Sequence, residues 1–154
     1  MTTIATIGYE GRAQHDVLRL LNEDGVELLV DVRIRAQSRK PGLSKSSLTA
    51  GLAEAGIDYL HLRDLGTPLE IRAEYRAGDA GAPERYRSYV LEDAAAQAAL
   101  AELARLAGER RVAILCFEHD PRVCHRMVVA QELERLHGIQ ARHLGAPEVA
   151  RSEQ

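Results

Sequence analysis

A chain of 154 residues, 45% hydrophobic and 28% charged, suits one folded domain and is too short for separate cofactor and substrate domains. The net charge of −3 argues against a nucleic-acid coat or a polybasic membrane binder. Aromatics are only 4%, with one Phe and no Trp, so Leu, Val, Ile and Ala must build the core and stacking platforms for single strands are few.

Thr3 to Ile7 reads as a first strand that stops at Gly8. Val17, Leu18 and Leu21 recur at helical spacing, and Gly25 ends that helix. Val26 to Val32 is a near-continuous apolar run, as expected of a strand buried on both faces. Arg33 to Ser44 is a basic loop, after which a helix capped near Ser44 runs to about Ala55. Ile57 to Leu62 alternates as a third strand, and Arg63 to Pro83 shows no clear pattern. Glu84 to Ala107 is helical with a break near Asp93, and Val112 to Phe117 is the fourth strand. Asp120-Pro121 has the form of an N-cap and first helical residue, opening a helix to about His137. Gln140 to Leu144 is a short fifth strand, and 146–154 is expected to be a flexible C-terminal tail.

Strands that alternate with helices imply right-handed β-α-β units. The expected fold is a single three-layer α/β domain over 1–145, with a mainly parallel sheet of four to five strands and helices on both faces. Ligands of such sheets bind beyond the carboxyl ends of the strands. Four loops at that edge carry polar, titratable residues: Tyr9 after the first strand, Asp31, Arg33, Arg35 and Ser38 after the second, His61 after the third, and Cys116 to Arg126 after the fourth. Arginines and serines of the second loop suit a phosphate or carboxylate. Asp31, at the end of a buried strand, needs a partner, which Arg33 or Arg126 can supply. His61, on an alternating strand, reads as a satisfied histidine.

Cys116, Glu118, Cys124, His125 and Arg126 are the candidate catalytic residues. A cysteine at a helix start beside arginine and histidine is suited to a thiolate nucleophile, with His125 or Glu118 moving protons. Two other readings stand beside it. Cys116, His119 and Cys124, with or without His125, have the softness of ligands for a divalent metal, although neighbouring Cys124 and His125 would diverge on a helix. Both cysteines can also be core filling. Two cysteines are too few for a disulfide-stapled module. Met1 to Tyr9 lacks the form of a signal peptide and no run reaches membrane length, so a cytoplasmic setting with reduced thiols is expected.

TIGYEG, LLVDVR, the basic segment before a Ser-Lys helix start, YLHLRDLG, ILCFEHDPRVCHR and a closing HLG together resemble the domain of unknown function 488 family. That family often has His-Ser where this chain has Tyr9-Glu10, and Gly-Gly where it has Gly66-Thr67. The resemblance implies a small α/β domain and supplies no activity. A weaker architectural likeness is to rhodanese-like and cysteine-phosphatase domains, which share a strand-Cys-loop-helix unit. Glu118 and Asp120 stand where those loops favour backbone amides. The expected function is an enzyme acting on an anionic small molecule or nucleic acid. The alternative is a nucleotide or nucleic-acid binding module without chemistry, with or without a bound metal.

Overall fold

The computed structural model describes residues 2–146, so 147–154 of the expected tail lie outside it. Five strands form one wholly parallel sheet: β1 (Thr3–Gly8), β2 (Leu28–Asp31), β3 (Asp58–His61), β4 (Val112–Cys116) and β5 (Gln140–His143), in the order β3-β2-β4-β1-β5. Six helices connect them: α1 (Gln14–Glu23), α2 (Lys45–Glu54), α3 (Leu69–Arg76), α4 (Ala82–Glu92), α5 (Ala94–Glu109) and α6 (His125–His137).

The three inner strands are buried almost throughout, which accounts for their unbroken apolar runs. Successive residues alternate between two cores. Ala5, Ile7, Leu29 and Leu115 face α1 and α2 and meet Val17, Leu21, Leu48 and Leu52. Ile4, Val30 and Ile114 face the other way and meet Tyr86, Val90, Leu103, Val128 and Leu133 of α4 to α6. Each buried Leu or Val contributes roughly 1.5–3 kcal/mol.

Local chemistry sets the boundaries. The helical run breaks at Asp93, as expected. Its backbone turns extended and its carboxylate accepts from the Ala96 N–H at 2.9 Å, capping α5. α6 ends at Gly138, whose φ of 68° is the left-handed conformation of a helix C-terminus. The unpatterned stretch 63–83 holds a 3-10 turn at Arg63–Leu65 and all of α3. α3 buries no residue, so it has no apolar stripe to reveal it.

The helices after β1 and β2 cover one face, whereas that after β4 covers the other. A crevice therefore opens where the carboxyl ends of β1 and β4 lie side by side, with Gly8 opposite Cys116. No helix of the described residues is long and apolar enough to cross a membrane.

Candidate functional site

A cavity of about 810 Å³ occupies this crevice. Its lining brings together Tyr9, Arg33, Arg35, Ser38, Cys116, Glu118 and His125 from the sequence-predicted set. The 33–40 loop contributes Arg35, Arg39 and Lys40 to one wall, and α3 contributes Arg72 and Arg76. None of these five side chains forms an ion pair among the described residues. Ser38 shapes the loop: its N–H donates to Ser44 Oγ at 2.9 Å and its Oγ accepts from the Lys40 N–H at 3.0 Å.

Asp31 and Arg33 are a buried pair. Asp31 is fully buried and accepts from Nε and Nη2 of Arg33, from the Arg33 N–H and from the Tyr59 hydroxyl at 2.6 Å. Nη1 of Arg33 donates to the Leu43 carbonyl at 2.7 Å, and the guanidinium lies 5.3 Å from the centre of the Tyr9 ring. Burial alone would lower the Arg33 pKa, but the Asp31 hydrogen bonds and charge outweigh it and raise it. Arg33 thus holds the loop to the sheet and has little left to offer a ligand. Asp31 is engaged by Arg33 and Tyr59 and does not line the cavity, so it does not meet a ligand there as the sequence suggests. Tyr9 packs edge-on against Phe117 with ring centres 5.3 Å apart. His61, read as satisfied, has Nε2 2.6 Å from the Arg33 carbonyl oxygen.

The loop after β4 is tied down by Arg126, the largest fully buried side chain. Nε donates to Thr6 Oγ1 at 3.1 Å, Nη1 to the Glu118 carbonyl and to Cys116 Sγ at 3.1 Å, and Nη2 to the His119 carbonyl at 3.1 Å. Among the described residues no carboxylate is hydrogen-bonded to it. Burial pushes it down to about 10, against the charges of Glu118 and Asp120, so it stays protonated at neutral pH. It lies behind the cavity wall and does not line it, so this candidate catalytic residue does not reach a ligand in the cavity. Gly8 makes the close approach possible, because a Cβ there would overlap the Glu118 carbonyl and stand 3.0 Å from Nη1 of Arg126. Gly8→Ala is expected to cost about 2–3 kcal/mol by displacing this loop, read as a lower urea midpoint.

Asp120-Pro121 opens only a 3-10 turn, Pro121–Val123, not the helix that the sequence suggests. Cys124 follows with extended backbone and caps α6, its Sγ accepting from the Arg126 N–H at 3.5 Å. Because Cys124 is extended and His125 is the first helical residue, their side chains do not diverge. Cys116, Cys124 and His125 converge, with ligand atoms all within 4.8 Å of one another. This corrects the expectation that these neighbours point apart. His119 is not in the group: its Nδ1 is 3.2 Å from Arg12 Nη2, and it lines a separate shallow depression with Glu10, Gly11, Arg12 and Asp120. The structure also sets Cys116 Sγ against Cys124 Sγ as a bonded pair, where free thiols were expected. Their Cα atoms are 7.7 Å apart, wider than the roughly 4.4–6.8 Å of ordinary disulfides.

His125 is fixed by its surroundings. Nε2 lies 2.9 Å from the Val32 carbonyl, which can only accept, so Nε2 carries the proton. Nδ1 then presents its lone pair to Cys124 Sγ at 3.8 Å. Burial holds the ring down to about 4, the Val32 carbonyl opposing and the Arg126 charge adding to it, so the imidazole is neutral. It is an acceptor or ligand here, not a mobile proton carrier. Glu118 is held above the usual carboxylate range by burial.

A profile of the family described as Domain of unknown function DUF488 matches residues 14–133. The chain belongs to the DUF488 family. No curated protein and no solved structure matches it. The DUF488 profile spans every element that walls the cavity except β1 and its loop, which carries Tyr9 and Glu10.

Arg72 and Arg76 line the cavity of this DUF488 chain without having been expected there, because α3 leaves no clear pattern in the sequence, and Tyr75, expected to pack, lines it too. Tyr75 stands out. Its buried hydroxyl has no hydrogen-bond partner among the described residues, and burial pushes its pKa up to about 12. A buried hydroxyl without a partner costs roughly 1–3 kcal/mol, and a ligand in the cavity is one way to satisfy it.

Proposed function

We propose that this DUF488 protein is an enzyme acting on a phosphate-bearing or similarly anionic substrate, with nucleotides or nucleic acid the favoured class. One observation carries the reading: a single cavity is lined by five cations without an ion pair among the described residues and by Cys116, Glu118 and His125. Its volume of about 810 Å³ lies within the roughly 300–1,000 Å³ of small-molecule sites. Arg35, Arg39, Lys40, Arg72 and Arg76 hold the anion, and the Tyr75 hydroxyl adds a neutral donor. Cys116 and His125 form the reacting floor, and Glu118 is placed to exchange a proton with the substrate. On this reading the bonded Cys116–Cys124 pair is opened to thiols in a reducing, cytoplasmic setting before it acts.

Equilibrium binding of adenosine diphosphate tests the wall. Arg39→Glu/Lys40→Glu is expected to weaken binding at least about tenfold through like-charge repulsion. Both residues lie on a surface loop, so stability should change by no more than about 0.5 kcal/mol. Unchanged affinity would remove the anion from this cavity. Adenosine diphosphate bound without turnover, with the same affinity in Glu118→Gln, would leave a binding module.

A further inference from the structure

We propose that Cys116, Cys124 and His125 bind a thiophilic divalent cation such as zinc at the floor of the cavity. The inference rests on the reading of this cavity as the functional site and says what its floor does. Two cysteine sulfurs and one imidazole nitrogen are a common zinc donor set, and three protein ligands with one position left open mark a reactive rather than a structural site. Cys116 and His125 line the cavity, so the open position is on the substrate side.

Three features beyond proximity support a metal. The first is the histidine. Nε2–H is engaged by the Val32 carbonyl, which leaves Nδ1 as the lone pair toward the sulfurs. A backbone carbonyl behind a ligating imidazole is the usual outer support of such sites. The second is the donors to sulfur: Arg126 Nη1 to Cys116 at 3.1 Å and the Arg126 backbone N–H to Cys124 at 3.5 Å. Each supports a thiolate ligand. The third is the backbone. Two thiolates at about 2.3 Å from one tetrahedral ion stand roughly 3.8 Å apart, farther than bonded sulfurs. The Cα separation of 7.7 Å suits that spacing better than a relaxed disulfide. His119, the third ligand expected from sequence, is replaced by His125.

A thiophilic cation here would polarise a phosphoryl or carbonyl oxygen of a substrate held by the cationic wall. The three ligands lie at a strand end, a helix cap and a helix start. They are therefore placed by the fold and not by a mobile loop.

The test is titration of the reduced, chelator-treated full chain with Co²⁺ under anaerobic conditions. Expected are one bound cobalt per chain, a near-ultraviolet thiolate-to-cobalt band, and its loss on adding Zn²⁺. His125→Ala should weaken binding at least about tenfold, whereas His119→Ala leaves it unchanged. Far-ultraviolet dichroism confirms that each variant is folded. If His125→Ala does not fold, alkylation of the wild type decides: metal should protect both cysteines, and a chelator should expose them. Absence of the thiolate band with both cysteines still reduced, cobalt left free, or equal effects of the two histidines overturns the proposal. Adenosine diphosphate binding by the metal-free chain, measured alongside, shows separately whether the anion reading survives.

Discussion

Arg126→Met is expected to lower stability by about 3–5 kcal/mol, since several buried acceptors lose their donor at about 1–3 kcal/mol each, a large part of what a domain of this size has. Met fills much of the same volume, so packing is not the main loss. The loss is in acceptors. Thr6 Oγ1, Cys116 Sγ and the carbonyls of Glu118 and His119 all give up a charged donor inside the protein. Thr6 passes the interaction on, since its hydroxyl is 2.6 Å from Nδ1 of His143, a ring whose pKa burial and then the Arg126 charge lower. One side chain on α6 therefore couples β1, β5 and the loop after β4. Arg126→Lys should recover less than half, because one ammonium cannot reach acceptors spread around a planar fork. Urea denaturation of the three proteins checks this. A loss below about 1 kcal/mol for Arg126→Met would mean that water replaces the guanidinium and that the loop stands without it.

The second large effect is at the buried pair. Asp31→Ala is expected to cost about 3–5 kcal/mol, because it strands the Arg33 guanidinium, 6% exposed, without its carboxylate. The Tyr59 hydroxyl loses its acceptor as well. Asp31→Leu/Arg33→Met removes both charges and should cost clearly less than Asp31→Ala alone, so a double-mutant cycle in urea should show strong coupling. Additive losses would mean that Arg33 finds water or another partner and is free to meet a ligand. The coupling matters for function, since it separates Arg33, which fixes the loop, from Arg35 and Arg39, which project from it.

Most of the fold is legible in the residues. Unbroken apolar runs such as Leu28 to Val32 mark strands buried on both faces, and Gly25, Gly56 and Gly138 stop helices where they should. The break at Asp93 is legible because an acid followed by a run of alanines is a cap. α3 is not legible because it packs no residue fully into the core, and its loss hides Arg72 and Arg76. The edge that carries the cavity is also legible, as four polar loops at strand ends. What sequence spacing does not show is which side chains meet. Asp120-Pro121 begins a helical turn in either case, and only the backbone decides that Cys124 is extended and brings His125 beside Cys116. Likewise Asp31 signals a buried cation partner, but choosing Arg33 over Arg126 needs the geometry.

The most direct test of the cavity is a residue-resolved map of ligand contact. Adenosine diphosphate titrated into isotope-labelled protein should shift backbone amides of residues 33–40, 72–76 and 117–118, which border one space. Shifts that saturate together on those three segments are the expected result. Shifts scattered over the surface, or gathered elsewhere with these segments silent, would contradict a substrate cavity at the carboxyl edge of the sheet.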